Sequence, residues 1–315
     1  MNNKVTVIGS YNTDFIIQSK RIPAIGETVI GGKFSQGSGG KGANQAVAAS
    51  RAGGKVSFIS RIGADVHGDD GLQRLTEELI NTHYVVRDAN SPTGVAFILV
   101  DERGENSIVV ASGANAQLHV TDIENGKTEI QSSKVLLVQL ESPLEPIAKA
   151  MQFAREHGIT VILNPAPAQA LNKTILSSVD IITPNKIEAE MITGIKVVDE
   201  ASLQRICKKF FEFGITYVLI TLGSQGVFFG STHSMELIPA YKVQTIDSTG
   251  AGDVFNGSLA AFLSEGMVIE NAVQHAIAAA AISITRLGAQ HSAPHRAEIE
   301  KFISQYSTSE IESIK

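Results

Sequence analysis

The chain has 315 residues, 43% of them hydrophobic and 18% charged, with a formal net charge of −6. That length holds one large α/β domain with an insertion, or two modest domains. The acidic balance without a Lys/Arg run disfavours a nucleic-acid partner, and no stretch reaches the roughly 18 apolar residues of a membrane span. The first residues lack the apolar core and cleavage site of a signal peptide, so a cytoplasmic protein is expected.

Short apolar runs recur along the chain. The first, Val5-Thr-Val-Ile8, breaks at Gly9-Ser10. Residues 15–36 follow without helical periodicity, with Pro and Gly between Phe15-Ile-Ile and Glu27-Thr-Val-Ile. Gly37-Ser-Gly-Gly-Lys41-Gly42 then runs into Ala43-Asn44-Gln45-Ala46-Val47, a loop-to-helix junction. It lacks the Ser/Thr and the spacing of a Walker loop, and reads as a backbone approach to a ligand, as a hinge, or as both. After the strand Val56-Ser-Phe-Ile59, residues 93–111 read as a hairpin, Gly94–Val100 and Asn106–Ala111 about a turn at 101–104. With 15–36 it would form a small β-layer of three or four strands, either a flap over a site or an edge extension.

The second half repeats strand and helix. Val135-Leu-Leu-Val138, Thr160-Val-Ile-Leu163, Val179-Asp-Ile-Ile182 and Tyr217-Val-Leu-Ile220 are continuous apolar runs, the mark of strands covered on both faces. Between the first two, Ser142-Pro143-Leu144-Glu145 reads as a capping box with proline at the first helical position, and Gly158 ends that helix. The single cysteine, Cys207, lies at helical spacing among Leu203, Ile206 and Phe210, so a buried structural thiol is expected. The rhythm predicts a mostly parallel sheet with helices on both faces. Residues 307–315 read as a polar, frayed tail.

Ligands of open parallel sheets sit outside the carboxyl ends of the strands. There this sequence places Ser10, Asn12 and Asp14, then Gln139 and Glu141, then Asn164, then Thr183, Asn185 and Glu188, then Thr221 and Ser224. Such a rim suits a polyhydroxylated ligand, because each buried hydroxyl needs a partner. The most informative stretch is Asp247-Ser-Thr-Gly-Ala-Gly-Asp253, followed by a helical run. Glycines before a helix let N–H groups converge on an anion, which suits a phosphoryl group in transfer. Asp253 in the first turn reads either as a base or as a residue favoured by the macrodipole alone. The first strand lacks the Gly-x-Gly-x-x-Gly turn of a dinucleotide site, which excludes a dehydrogenase.

Gly39-Gly-Lys-Gly-Ala-Asn-Gln-Ala-Val-Ala48 and Asp247–Asp253 resemble the two signatures of the ribokinase-like, phosphofructokinase-B type sugar kinases. Gly-Ser-x-Asn-x-Asp at 9–14, Gln-Leu-Glu-Ser at 139–142, Asn-Pro-Ala-Pro-Ala at 164–168, Thr-Pro-Asn-x-x-Glu at 183–188 and Thr-Leu-Gly-Ser at 221–224 extend the resemblance. It implies a Rossmann-like αβα sandwich from 1–14, 37–92 and 112–306, a β-sheet lid from 15–36 and 93–111, and a homodimer formed through that lid. The implied reaction is transfer of the γ-phosphate of ATP to the 5-hydroxyl of D-ribose. Asn12, Asp14, Gly40, Lys41, Asn44 and Glu141 are implied to hold the sugar, with Asp253 as base and Gly250, Ala251 and Gly252 as anion hole. Asn185, Thr221, Gly223, Ser224, Gly226 and Gly252 would follow the nucleotide, Ile277 the adenine, and Glu188 would act on Mg²⁺ through water. An activating K⁺ is implied at Asp247, Thr249, Ser283, Arg286, Gly288 and Ser292. The sequence departs from the family at Ser248, where Thr is commoner, at Ile277, and at His291, where Pro is common. Neither a thiol nor a carboxylate completes a zinc site for His291 and His295. Asn12 favours ribose over 2-deoxyribose, because a buried amide wants a hydroxyl partner. Another sugar or nucleoside as acceptor, and a non-catalytic sugar sensor on this fold, stay open.

Overall fold

The computed structural model describes residues 3–103 and 105–312. Strand β1 (Lys4–Ile8) leads to β2 (Asn12–Gln18), β3 (Lys33–Gly39) and helix α1 (Lys41–Arg51). Next come β4 (Lys55–Gly63), α2 (Val66–Glu77), β5 (Val85–Asp88), β6 (Gly94–Val100), β7 (Asn106–Ala111) and α3 (Val120–Ser132). The middle of the chain gives β8 (Val135–Val138), α4 (Leu144–Glu156), β9 (Thr160–Leu163), α5 (Lys173–Leu176), β10 (Ile181–Ile182), α6 (Lys186–Thr193) and α7 (Glu200–Phe211). Last are β11 (Tyr217–Thr221), β12 (Val227–Gly230), β13 (Met235–Ile238), α8 (Ala251–Ser264), α9 (Ile269–Ser283) and α10 (Arg296–Glu312). Of the polar tail 307–315, residues 313–315 lie outside the described residues.

The large sheet has the order β13-β12-β11-β10-β9-β8-β1-β4-β5. All its pairings are parallel except β11 with β12 and β12 with β13, which form an antiparallel edge. Within β1, Val7 belongs to the core beneath α1, α8 and α9, and Ile8 to the core beneath α3, α4 and α7. Both are fully buried, which is why these strands read as continuous apolar runs rather than alternating ones. Cys207 lies in the second core and is fully buried, and burial pushes its thiol up to about 12, as expected of a structural cysteine. Helices α1 and α8 cross in close contact: a Cβ at Gly257 would lie 2.3 Å from the carbonyl oxygen of Gln45. After β1 the chain builds β4 and β5 to one side, then returns to place β8 on the other. The strand order therefore reverses between β1 and β8, and a crevice opens at their carboxyl ends.

The separate sheet has four strands in the order β3-β2-β6-β7. Phe15 stacks between Phe34 and Phe97, at ring-centroid distances of 6.1 and 5.3 Å, and His67 of α2 meets its edge at 5.5 Å. These cross-strand rings fix the pairing of β2 with its neighbours. At the tip of the hairpin Asp101 accepts from the N–H groups of Arg103 and Glu105, which closes the turn; Gly104 lies outside the described residues.

The capping box expected at Ser142 does not form. Pro143 occupies the N-cap of α4, no side chain caps that helix, and the buried Ser142 hydroxyl has no partner among the described residues. With φ of −54° and ψ of 138°, the proline is extended and stands before the first helical residue. This displaces Ser142 by one position from where its hydroxyl could reach an N–H of the first turn.

Candidate active site

Gly40, the N-cap of α1, has φ of 85°, and a Cβ there would lie 2.7 Å from the backbone nitrogen of Asn12. Only glycine permits both the left-handed backbone and the contact. Helix α1 thereby starts against the end of β1 and carries Lys41, Asn44 and Gln45 to the crevice. On the facing helix Gly250 is the N-cap of α8, also left-handed at φ 75°, and a Cβ there would meet the Cβ of Ala289 at 2.9 Å. Asp253 follows in the first turn of α8.

Asp253 is 6% exposed, and its side chain does not cap the helix. Asn44 Nδ2 donates to its Oδ2 at 2.9 Å, and Gln45 Nε2 donates to its Oδ1 at 2.9 Å. The reading of this aspartate as favoured by its helix alone leaves out these two bonds from α1. Around it stand charges of both signs. Lys41 is held above its usual range, first by Asp253, with burial acting against it and Glu141 and Glu188 assisting. Burial pushes Asp14 up to about 7, reinforced by the negative charges of Glu141 and Asp253. Glu141 Oε2 accepts from Ser10 Oγ at 2.5 Å and from the N–H of Lys41 at 2.9 Å. The side chain of Asn44 has its Oδ1 buried and without a partner among the described residues, as has Gln139 with its Oε1.

Asn12 is 3% exposed and is oriented by a residue that the sequence did not single out. Asn115 Nδ2 donates to Asn12 Oδ1 at 2.8 Å and also to the carbonyl of Tyr11 at 2.8 Å, while Asn115 Oδ1 accepts from the Tyr11 N–H. The acceptor-only carbonyl of Tyr11 fixes the Asn115 amide, which in turn fixes Asn12 with its oxygen occupied. Asn115 lies 103 residues from Asn12 along the chain, and nothing local marks it.

A cavity of 150 Å³ is lined by Lys41, Asn185, Glu188, Thr221, Asp253 and Asn256, together with Gly250, Ala251 and Gly252. It shares Thr221, Ser248, Ala251 and Gly252 with a larger cavity of 480 Å³, whose other walls include Gly223, Ser224, Gly226, Tyr241, Val243, Phe255 and Ile277. Sequence reasoning placed Ile277 here but passed over Tyr241, Val243 and Phe255, which carry no motif. The first N–H groups of a helix lack intrahelical acceptors, so the shared wall at the start of α8 can receive an anion. Asn185 caps α6: its Oδ1 accepts from the Glu188 N–H at 2.9 Å, and both Glu188 oxygens accept from Asn185, at 2.8 Å each. Burial raises the Glu188 carboxyl, and the Asn185 N–H and Lys41 act against that rise.

Of the residues expected around a monovalent cation, Asp247, Thr249 and Gly288 are brought into contact ahead of α8. Asp247 Oδ1 accepts from the Thr249 N–H and Oδ2 from the Gly288 N–H, each at 2.9 Å. Burial pushes the Asp247 carboxyl up, but donors from Thr249 and Gly288 outweigh it and leave it below the usual range. Arg286 pairs with Glu298, and the Ser283 and Ser292 hydroxyls donate to the carbonyls of Ala280 and Ala289. Arg286 can therefore offer an ion only its backbone oxygen.

The pfkB family carbohydrate kinase pattern matches residues 2–296. A ribokinase of Haemophilus influenzae is 44% identical over 303 residues, 96% of this chain and 99% of that protein. A deoxyribokinase of Salmonella typhimurium is 34% identical, covering 95% of this chain and 98% of that one. The structure of Arabidopsis thaliana ribokinase complexed with ribose and ATP superposes with a TM-score of 0.88 at 29% identity, over 96% of this chain and 99% of that one. With the crevice, the paired helices and the acidic residue between them already in place, the chain belongs to the pfkB family of carbohydrate kinases.

Proposed function

We propose that the protein transfers the γ-phosphate of ATP to the 5-hydroxyl of D-ribose, giving ribose 5-phosphate and ADP. The observation that carries this reading is the place of Asp253. Its carboxylate accepts from Asn44, shares the charge environment of Lys41, Asp14 and Glu141, and lines a cavity at the start of α8 that joins the larger one through Thr221, Ser248, Ala251 and Gly252. The sugar lies in the crevice with its 5-hydroxyl toward Asp253. The adenine lies against Ile277 and Phe255, and the triphosphate crosses Thr221, Gly223, Ser224 and Gly226 toward Gly252. As the hydroxyl oxygen attacks the γ-phosphorus, the bond from phosphorus to the β,γ-bridging oxygen breaks. Asp253 takes the hydroxyl proton and ADP leaves with the bond's electron pair. Of residues 250–252, Gly250 and Gly252 keep their N–H groups for the charge on the transferring group, while the Ala251 N–H donates to the carbonyl of Ser248; preorganised donors there lower the barrier most.

Mg²⁺, when bound with the nucleotide, neutralises phosphate charge. Both Glu188 oxygens already accept hydrogen bonds, which suits contact with that ion through water. The carboxylate and oxygens at Asp247, Thr249, Ser283, Arg286, Gly288 and Ser292 suit K⁺, which would brace the loop before Gly250. Asn12 supports ribose as acceptor. With its oxygen engaged by Asn115, its amide nitrogen is left to donate to a hydroxyl. Exposed apolar side chains on the small sheet, among them Phe34, Phe97, Ile108, Val109 and Val110, support a homodimer formed through that sheet. The test is ADP release over a sugar panel, with and without K⁺, for the wild type and Asp253→Asn. D-Ribose is expected to give the highest kcat/KM, and Asp253→Asn to bind ribose and nucleotide while losing turnover by about 10²-fold or more. Near wild-type release from Asp253→Asn would remove the base assignment, and preference for 2-deoxy-D-ribose would reassign the acceptor.

A further inference from the structure

Gln45 sits one residue beyond the sugar-facing Asn44, on the same helix, yet it is fully buried. Every polar atom of its side chain is engaged. Nε2 donates to Asp253 Oδ1 at 2.9 Å and to Asn164 Oδ1 at 3.0 Å, while Oε1 accepts from Gln139 Nε2 at 2.6 Å. Its amide cannot be turned over. Asp253 only accepts, and Asn164 must present its oxygen, because Asn164 Nδ2 donates to the backbone carbonyl of Thr183 at 3.1 Å. Two acceptor-only groups thus dictate that Gln45 offers nitrogen to Asp253 and oxygen to Gln139. The network continues past Thr183, whose Oγ1 donates to Asn256 Oδ1 at 2.6 Å, and Asn256 Nδ2 donates to the carbonyl of Gly252 at 2.8 Å. It closes on the same helical turn that carries Asp253.

The two donors to Asp253 differ. Asn44 has a buried oxygen without a partner among the described residues and faces the ligand, so its bond is shared with whatever the crevice holds. Gln45 has nothing left to give a ligand and holds Oδ1 in every state. We propose that Gln45 is a positioning residue for catalysis, oriented by Gln139 and Asn164. It pins Oδ1 of Asp253 so that Oδ2, on the Asn44 side, receives the sugar proton. The proposal rests on Asp253 being the base.

A buried amide network also stabilises a fold, so activity alone cannot test the idea. Gln45→Met and Gln139→Met should be compared with the wild type by thermal melting, by calorimetric binding of D-ribose and of a non-hydrolysable ATP analogue, and by steady-state kinetics. Removing one hydrogen bond to a charged group should lower kcat about tenfold to a hundredfold in Gln45→Met, with ribose and nucleotide affinities within about threefold of wild type. Gln139→Met, which removes a donor to Gln45 rather than one to Asp253, should lower kcat less. The double variant should fall no further than Gln45→Met, because both changes act on one bond. Should Gln45→Met fail to fold, Gln139→Met carries the test, by a kcat loss at unchanged affinity. Wild-type kcat in the folded variants, a ribose affinity that falls as far as kcat, or additive effects in the double variant would each overturn the proposal. If the wild type uses another sugar, the assignment of ribose is at fault and the same comparisons are read with that sugar. If Asp253→Asn turns over normally, the reading of the base fails first.

Discussion

Replacing Asp14 with asparagine should make the ligand-free protein more stable at alkaline pH and a poorer sugar binder. The Asp14 carboxyl lies against the Cα of Gly39, where a Cβ would meet its oxygens at 2.2 and 2.3 Å. It is raised by burial, and by Glu141 and Asp253, from 3.8 to about 7. The folded protein therefore keeps a proton that the unfolded chain has already lost, and stability falls as pH climbs from the unfolded to the folded value. At 1.36 kcal/mol per unit, the loss between pH 5 and pH 8 comes to about 3 kcal/mol, or about 4–5 °C in Tm at the unfolding entropy of a chain of this size. Asparagine does not titrate, so this slope should vanish. Melting curves of both proteins without ligand, from pH 5 to 8.5, isolate the term, since the remaining carboxylates are common to both. Asp14→Asn should melt higher by an amount that grows as pH rises through about 7, and ribose should shift its melting less than that of the wild type. A Tm difference independent of pH would refute the argument, because it would mean that Asp14 is ionised in the folded protein throughout the range.

Two further outcomes are expected. Asn12→Leu should narrow the preference for D-ribose over 2-deoxy-D-ribose by about tenfold or more, measured as a ratio of kcat/KM values, because the amide whose partner the deoxy sugar lacks is gone; an unchanged ratio would place discrimination elsewhere. Arg51→Met should raise the K⁺ concentration needed for half-maximal activity by several-fold, since Arg51 Nη1 donates to the carbonyls of Gln290 and Ala293 at 2.9 and 2.8 Å and so ties the last turn of α1 to the loop carrying Ser292. An unaltered K⁺ titration would show that the loop holds its shape without that tie.

Local rules carried the strands and the phosphate end of the site. Runs such as Val135–Val138 are apolar on both faces because helices cover both, and Gly250-Ala-Gly252 before an apolar run states a helix start whatever the rest of the chain does. They failed where neighbours override them. Strand β5 (Val85–Asp88) mixes charge with valine, and β13 is largely exposed at the antiparallel edge, so neither shows the buried-strand pattern. At Ser142 the sequence fits a capping box, yet the extended Pro143 takes the cap. The side chains that build the site from afar were the least legible. Nothing in the run Ala43-Asn44-Gln45-Ala46 tells what Gln45 faces, and only the close crossing of α1 over α8 makes it a donor to a residue 208 positions away. Asn115 and Asn256 acquire their meaning in the same manner, and Asn164, expected on the rim, gains its tie to Gln45, from partners brought beside them by the reversal of strand order between β1 and β8 and by the packing of helices across it. By itself, then, the sequence determined which backbone segments are buried and where an anion can meet a helix. Which amide faces which carboxylate was decided by the tertiary structure alone, because a hydrogen bond depends on distance and direction in space, and separation along the chain fixes neither.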